Sequence, residues 1–458
     1  MKYLPQLIAA GMILSTSTIA QAAANNTDTD ASTTHADANA ALAQVQATFD
    51  KNYPALEAMY KDIHEHPELA FQEKRTAAIL AKKMRALGFD VTENVGKTGV
   101  VALYRNGPGP VVLIRTDMDA LPMEEKTGLP YASKVQQEVD GNTYFVDHSC
   151  GHDIHMAWWV GTAEALLAMK DRWHGTLMFV AQPAEEVISG AKAMLDDGLF
   201  TRFPKPDYGF GAHIGADTLG TISVKQGVIS SASDRISVRF HGVGAHGSMP
   251  DKSIDPIMQA GHFITGVQST ISRQKDPKQF GVVSVGSIHA GSVANIIPDH
   301  ADLQLTLRSF DPETRKIIND GVARTAKAAA DMERAPAPEV THVYGTGSVV
   351  NDPDLAARAA TVLKGALGDS RVAFIPASEP GGSASEDYSE FVAAGMPNSV
   401  YFWIGGTPPE TIAKYKSEGK PVPVNHSPYF APSPKGSIKA GIETLTLATL
   451  MVAGNDAQ

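Results

Sequence analysis

The sequence predicts an α/β fold: a catalytic domain with a largely parallel sheet flanked by helices, interrupted by an inserted ferredoxin-like α+β unit. Three observations carry that prediction. At 458 residues the chain is too long for one simple core. Short apolar strands alternate with helix-period segments up to about residue 230, and this pattern resumes after about 345. Between those limits the order of elements changes to β-α-β-β-α-β.

Taken in order, the N-terminus reads as an export signal. Lys2 precedes an apolar stretch from Leu7 to Ala20 that is too short to span a bilayer, and Ala20-Gln21-Ala22 supplies a small-x-small cleavage pattern. Residues 1–22 are therefore expected to be removed, with 23–39 as a disordered Ala/Asn/Thr/Asp leader. The expected location is the periplasm or the exterior. The first catalytic segment, 40–230, opens with helical spacing from Ala40 to Leu87, closed by Gly88. Val100–Tyr104 and Val111–Arg115 read as strands joined by Asn106-Gly107-Pro108-Gly109. His155–Met169 reads as a helix, Thr176–Ala181 as a strand, Gly190–Asp197 as a helix and Tyr208–Gly211 as a short strand.

The inserted unit, 231–344, begins with Arg235–Phe240, which alternates like a half-exposed strand. Helix Ile257–Ile271, strands Gly281–Ile288 and Ala301–Ser309, helix Pro312–Met332 and strand Glu339–Tyr344 follow. The second catalytic segment, 345–458, contains helix Asp354–Gly368 and the buried strand Ser399–Ile404.

Net charge is −11 and no basic run offsets it, which argues against nucleic acid or an anionic membrane as partner. Gly242-Val243-Gly244-Ala245-His246-Gly247 formally fits a dinucleotide fingerprint, but Pro250 and Pro256 prevent a helix from opening there.

Five polar clusters sit at predicted strand ends, where open α/β sheets place their ligands. Asp117 and Asp119 leave the strand ending at Ile114. The only cysteine lies in His148-Ser149-Cys150-Gly151-His152-Asp153-Ile154-His155, a metal-ligand composition that alone could equally be a buried thiol among capping residues. Gln182-Pro183-Ala184-Glu185-Glu186 places two adjacent carboxylates beyond a buried strand, where one could ligate a metal and the other act as base. His213 follows a short strand, and His426 lies far down the chain in Asn425-His426-Ser427-Pro428. Singly, each has an ordinary structural reading. Together they provide donors for two divalent ions with open positions and leave one carboxylate spare.

In this order the motifs resemble the M20 metallopeptidase superfamily, and within it the amidohydrolase branch of hippurate hydrolases, N-acyl-amino-acid amidohydrolases and plant auxin-conjugate hydrolases. The resemblance runs from His64-Glu65-His66-Pro67-Glu68-Leu69 to the C-terminus. It implies metal ligands at Cys150, His152, Glu186, His213 and His426, a catalytic carboxylate at Glu185, and an aspartate at Asp119 that steadies a ligand histidine. It also implies that His246 reaches a partner subunit's active site in a homodimer, and that Asn295 and Arg308 lie near the substrate carboxylate. The Gly381–Asp387 loop resembles an element lining the family's substrate cleft, and Ser383 with Glu386 also has capping-box spacing. Ala431-Pro432-Ser433-Pro434-Lys435 stands where many relatives carry acidic residues.

The implied activity is hydrolysis of an N-acyl amino acid to a carboxylic acid and a free amino acid. It would use two divalent metals, zinc or manganese with cobalt also admitted by the donor set. An alternative in the same chemistry is a carboxypeptidase or dipeptidase acting on short peptides. A different class, an exported metal- or ligand-capture protein, would have no use for a spare Glu185.

Overall fold

The structure is a computed structural model and describes residues 20–139, 141–396 and 398–455. Residues 1–19, most of the expected signal segment, lie outside the described residues. Helix α1 (Ala20–Glu65) continues through the stretch expected to be a separate leader, and its buried stripe begins at Ala41 and runs through Val45, Phe49, Leu56, Tyr60 and Ile63. Helix α2 (Lys74–Ala86) follows after a break. The sequence pattern joined these two into one helical run. Pro67 separates them, because it can neither donate a helical hydrogen bond nor leave its predecessor helical.

The chain then forms β1 (Asp90–Val95), β2 (Gly99–Asn106), β3 (Val111–Asp117), α3 (His152–Ala168), β4 (Gly175–Gln182), β5 (Tyr208–Thr218) and β6 (Ile222–Lys225). A second layer follows with β7 (Ala232–His241), α4 (Pro256–Gly266), β8 (Gly281–Ala290), β9 (His300–Ser309), α5 (Pro312–Met332) and β10 (Glu339–Thr346). The return supplies α6 (Pro353–Leu367), β11 (Val372–Ile375), β12 (Asn398–Thr407) and α7 (Pro434–Ala453).

The large sheet has the order β1-β2-β4-β3-β5-β12-β6-β11. Its central strands β4, β3, β5 and β12 are parallel, while β1 and β2 add antiparallel strands at one edge. Helix α3 is buried nearly all round, through Ile154, Trp158, Trp159 and Val160 among others, and packs between α1 and α7 on one face of this sheet. A helix buried on every side is held by packing more than by propensity. The smaller sheet, β8-β9-β7-β10, is wholly antiparallel and has its own core of Ile236, Val238, Phe240, Phe263, Leu305 and Val322 under α4 and α5. Its order is that of a ferredoxin-like unit. Among the described residues no helix is long and apolar enough to cross a membrane.

Register explains where the site must form. Asp117 pairs with Gln182 across β3 and β4, Ile114 pairs with Phe210 across β3 and β5, and His213 pairs with Trp403 across β5 and β12. Extending the β3–β5 register by three residues brings Asp117 level with His213. One row at the carboxyl ends of four parallel strands thus carries the residues that the sequence scatters.

Candidate metal centre and active-site pocket

Each donor is delivered by a strand end or a helix start. Gly151, at φ +90, turns the chain into α3; a Cβ there would lie 2.3 Å from the side chain of Ile214, so glycine is required. That turn puts Cys150 before the helix and His152 in its first turn. His152 Nδ1 donates to the Asp119 carbonyl at 2.8 Å and His213 Nδ1 donates to the Ile214 carbonyl at 2.7 Å. Both bonds place a proton on Nδ1 and turn Nε2 toward the site, the nitrogen left to ligate a metal. The distant His426 segment is sewn on by Asn425, whose amide donates to the Cys150 and Ile214 carbonyls at 3.0 Å each.

The loop after β4 carries the carboxylates. Ala184 and Ile188 have φ of +50 and +51, conformations that cost L-residues roughly 1–2 kcal/mol each. Gly190 closes the loop where a Cβ would lie 1.5 Å from the Pro183 carbonyl oxygen. The Asp119 carboxylate accepts the amides of Glu185 and Glu186 at 3.0 Å each. Asp119 therefore steadies His152 chiefly through its main-chain carbonyl, while its side chain organises the glutamate loop; its carboxylate lies 3.5 Å from His152 Nδ1.

These residues form two donor triads that share one thiol: Cys150, His152 and His213, and Cys150, Glu186 and His426. Cys150 Sγ lies 3.4 Å from His213 Nε2, and Glu186 lies 3.3 Å from His426 Nε2. His152 Nε2 and Glu186 Oε1 face each other at 3.8 Å, beyond hydrogen-bond reach, and neither has a hydrogen-bond partner; Nε2 also stands 3.7 Å from Asp117 and 3.8 Å from Glu185. Donors around one tetrahedral zinc stand roughly 3.4 Å apart. Buried, orphaned, mutually facing donors are costly unless a cation lies between them, so the residues present fit divalent metal.

The electrostatics agree. Burial, with Glu186 and Glu185 alongside, pushes the Cys150 thiol up, so only a cation makes its thiolate favourable. His152 is pushed to about 10 although burial opposes its charge, because the Asp117, Asp119 and Glu186 carboxylates surround it. Burial takes His213 down to about 4. Glu185 is not a member of either triad. Burial first, then Glu386, Glu186 and Asp387, hold its carboxyl well above the usual range, while Arg115 works against them.

Sequence reasoning missed the supports. Arg115 is fully buried and binds Gln182 at 3.0 Å, Asp117 at 2.6 Å, Glu386 at 2.7 Å and Tyr401 at 3.1 Å. Asp117 binds His155 at 2.6 Å, and His155 Nε2 accepts the Ile214 amide at 2.9 Å. His64 Nδ1 pairs with Asp153 at 2.6 Å and its Nε2 with Glu125 at 3.2 Å, locking α1 to the start of α3. Glu73 accepts the Ala184 amide at 2.8 Å; burial and the charge of Asp119 raise its carboxyl to about 7.

A cavity of about 420 Å³ opens over the triads, lined by Glu185, His426, Trp403 and Ile229 on the catalytic side and by Arg308 and Tyr344 from the smaller sheet. Arg308 Nη1 is fixed by Ser233, Thr306 and the Leu307 carbonyl, and among the described residues no carboxylate pairs with the guanidinium. It is a cation held ready for an anion. His246 and Asn295 are not brought to this cavity. Both are exposed beyond the far end of the smaller sheet, at a separate two-stranded ribbon where His246 pairs with Ile296 and the Asn295 carbonyl accepts the Gly247 amide. Ser233 pairs with Arg308 and His241 with His300, so the two ends of β9 are about 26 Å apart at ~3.3 Å per residue. One chain cannot present Arg308 and His246 to the same small molecule in this arrangement.

The comparisons with known proteins agree with this site. A model of the peptidase family M20/M25/M40 matches residues 113–431. The hippurate hydrolase of Campylobacter jejuni is 41% identical over 282 residues, 60% of this chain and 69% of that protein. Thermostable carboxypeptidase 1 of Saccharolobus solfataricus is 35% identical over 352 residues, 75% of this chain and 84% of that protein. Among solved structures, the Bacillus subtilis YXEP protein, a dinuclear metal-binding peptidase of the M20 family, aligns with a TM-score of 0.68 at 29% identity. It covers 88% of this chain and 99% of its own.

Proposed function

Because the chain belongs to the peptidase family M20/M25/M40, we propose that it is a metal-dependent amidohydrolase. It cleaves the amide bond of N-acyl amino acids to a carboxylic acid and a free amino acid. The observation that carries this reading is a spare carboxylate, Glu185, beside two donor triads that share Cys150, under a cavity whose opposite wall offers the unpaired Arg308. The hippurate hydrolase and N-acyl-L-amino acid amidohydrolase relatives support the substrate class.

Cys150, His152 and His213 would hold one divalent cation, and Cys150, Glu186 and His426 the other. When bound, these ions supply Lewis acidity to the scissile carbonyl and to the attacking water. Glu185 takes a proton from that water as its oxygen bonds to the carbonyl carbon. It then hands the proton to the nitrogen as the C–N bond breaks. Arg308 grips the substrate carboxylate with its free donors and sets the distance to the scissile bond. Thiolate with imidazoles favours zinc, and the carboxylate-bearing triad admits manganese or cobalt.

The active unit in this proposal is a homodimer. Val243, Met249, Ile257, Met258, Val293 and Ile296 expose apolar surface around His246, and β8 leaves an edge of the smaller sheet open beside them. Such surface calls for a second copy to cover it. His246 and Asn295 then act on the substrate in the other copy's cavity, His246 on the developing oxyanion and Asn295 on the carboxylate. Export with removal of residues 1–22 completes the proposal, and N-terminal sequencing of the mature protein tests it.

The test of function is turnover of a panel of N-acyl amino acids and dipeptides by the mature protein. Hippurate-like substrates are expected to be cleaved faster than dipeptides. The reverse order would move the assignment to a dipeptidase or carboxypeptidase, and no turnover of either would overturn it.

A further inference from the structure

We propose that Glu73 is a positioning residue of the catalytic loop: it fixes the backbone that carries Glu185 and Glu186 and so sets where both carboxylates stand. This deepens the hydrolytic reading above and rests on it.

The observation is a run of three consecutive main-chain amides, each accepted by a buried carboxylate oxygen. The Ala184 amide goes to Glu73 at 2.8 Å, and those of Glu185 and Glu186 go to the two oxygens of Asp119 at 3.0 Å each. Asp119 lies two residues beyond β3, on the segment that leads into the site, but Glu73 comes from the residue immediately before α2 and touches no donor of either triad. Ala184 is the pivot of the loop. Its φ of +50 is one that an alanine leaves unless held, and its carbonyl accepts the returning amides of Ser189 at 3.3 Å and Gly190 at 3.1 Å. Glu73 thus holds one face of the residue on which the whole turn closes.

Glu73 cannot swing away. The oxygen that takes Ala184 also takes the amide of Phe71 at 2.9 Å, and Phe71 is itself left-handed at φ +60. The other oxygen takes the Thr98 hydroxyl at 2.5 Å. The side chain is fully buried, so its removal strands three donors away from bulk solvent. The oxygen facing Ala184 needs only to be an acceptor, which a glutamine carbonyl also is. A role through hydrogen bonding therefore separates Glu73→Gln from Glu73→Ala, whereas a role as a mere space-filler does not.

The experiment measures kcat and KM on an N-acyl amino acid, and zinc binding to the stripped protein by calorimetry, for the wild type, Glu73→Ala and Glu73→Gln. Glu73→Ala is expected to lose about 10-fold or more in kcat and in affinity for the more weakly held zinc ion, with KM little changed. Glu73→Gln is expected to keep both within roughly threefold. Should Glu73→Ala not fold, Glu73→Leu fills the space without an acceptor and takes its place in the comparison. Equal losses in the glutamine and acceptor-free variants would overturn the proposal, as would a folded acceptor-free variant with unchanged kcat and zinc binding. Wild-type protein that binds zinc but cleaves nothing would instead sink the hydrolytic reading. The zinc titrations of the variants would then still decide the role of Glu73.

Discussion

The large sheet and the inserted unit carry their proposed functional residues in opposite ways. On the large sheet, Cys150, His152, Glu185 and His213 are buried, and their backbones and ring nitrogens are held by hydrogen bonds from within the chain. In the inserted unit, His246 and Asn295 are exposed, and among the described residues the only side-chain hydrogen-bond partner of His246 is Ser248 at 2.7 Å. The first set is organised by folding alone. In the proposed dimer the second gains a target only when another copy arrives. Arg308 stands between them, on the smaller sheet but at the end nearest the cavity.

The largest effect should come from the organised set. Glu185→Gln is expected to keep bound metal and lose at least ~10²-fold in kcat, measured by steady-state kinetics alongside metal analysis. Full activity in that variant would remove Glu185 from the chemistry. The exposed set gives the next test. Protomers carrying Glu185→Gln and protomers carrying His246→Ala are each expected to be inactive, and mixing them should restore activity in the hybrid dimer. Hybrids as dead as their parents would return His246 to an ordinary surface role.

The same contrast holds for ion pairs. Removing Arg115 leaves Asp117 and Glu386 buried without their cation, so Arg115→Leu is expected to cost about 3–5 kcal/mol in a denaturant titration. Arg239 and Asp302 form an equally well aligned pair on the smaller sheet, but both are exposed, and Arg239→Ala should leave the melting temperature essentially unchanged. Comparable losses in the two variants would erase the distinction. A further test concerns pH. Burial disfavours a charged His64, yet the hydrogen bonds it donates to Asp153 and Glu125 raise it from 6.5 to about 10. The folded state thus holds this proton more tightly than the unfolded chain does. That stabilisation is complete below about pH 6.5 and is lost as pH rises toward 10. Denaturant midpoints at pH 7 and pH 9.5 should therefore fall more for the wild type than for His64→Gln.

The sequence made the donors legible because each lies next to a local signal. Cys150 and His152 share a short motif, Glu185 and Glu186 follow a buried strand, and His213 ends a run of apolar residues. The ferredoxin-like order was legible for the same reason: its strands alternate and its helices are amphipathic. The supports were not, because their meaning depends on register. Arg115 meets Tyr401 and Glu386 only once β3, β5 and β12 are laid side by side, and no spacing along the chain encodes that. Glu73 and Ala184 meet across a similar gap. Helix α7 escaped because it is buried nearly all round and so shows little periodicity to read. The break at Pro67 was visible as a residue, but the apolar pattern on either side of it masked the interruption.

The central claim is that two triads sharing Cys150 hold the ions on which hydrolysis depends. Its most direct test is hydrolysis of an N-acyl amino acid by the mature protein before and after stripping with a chelator, with bound metal quantified in the same samples. Two divalent ions per chain, loss of activity on stripping, and recovery on adding back zinc or manganese are expected. Purified enzyme that carries no ion and works equally well after chelation would contradict the account.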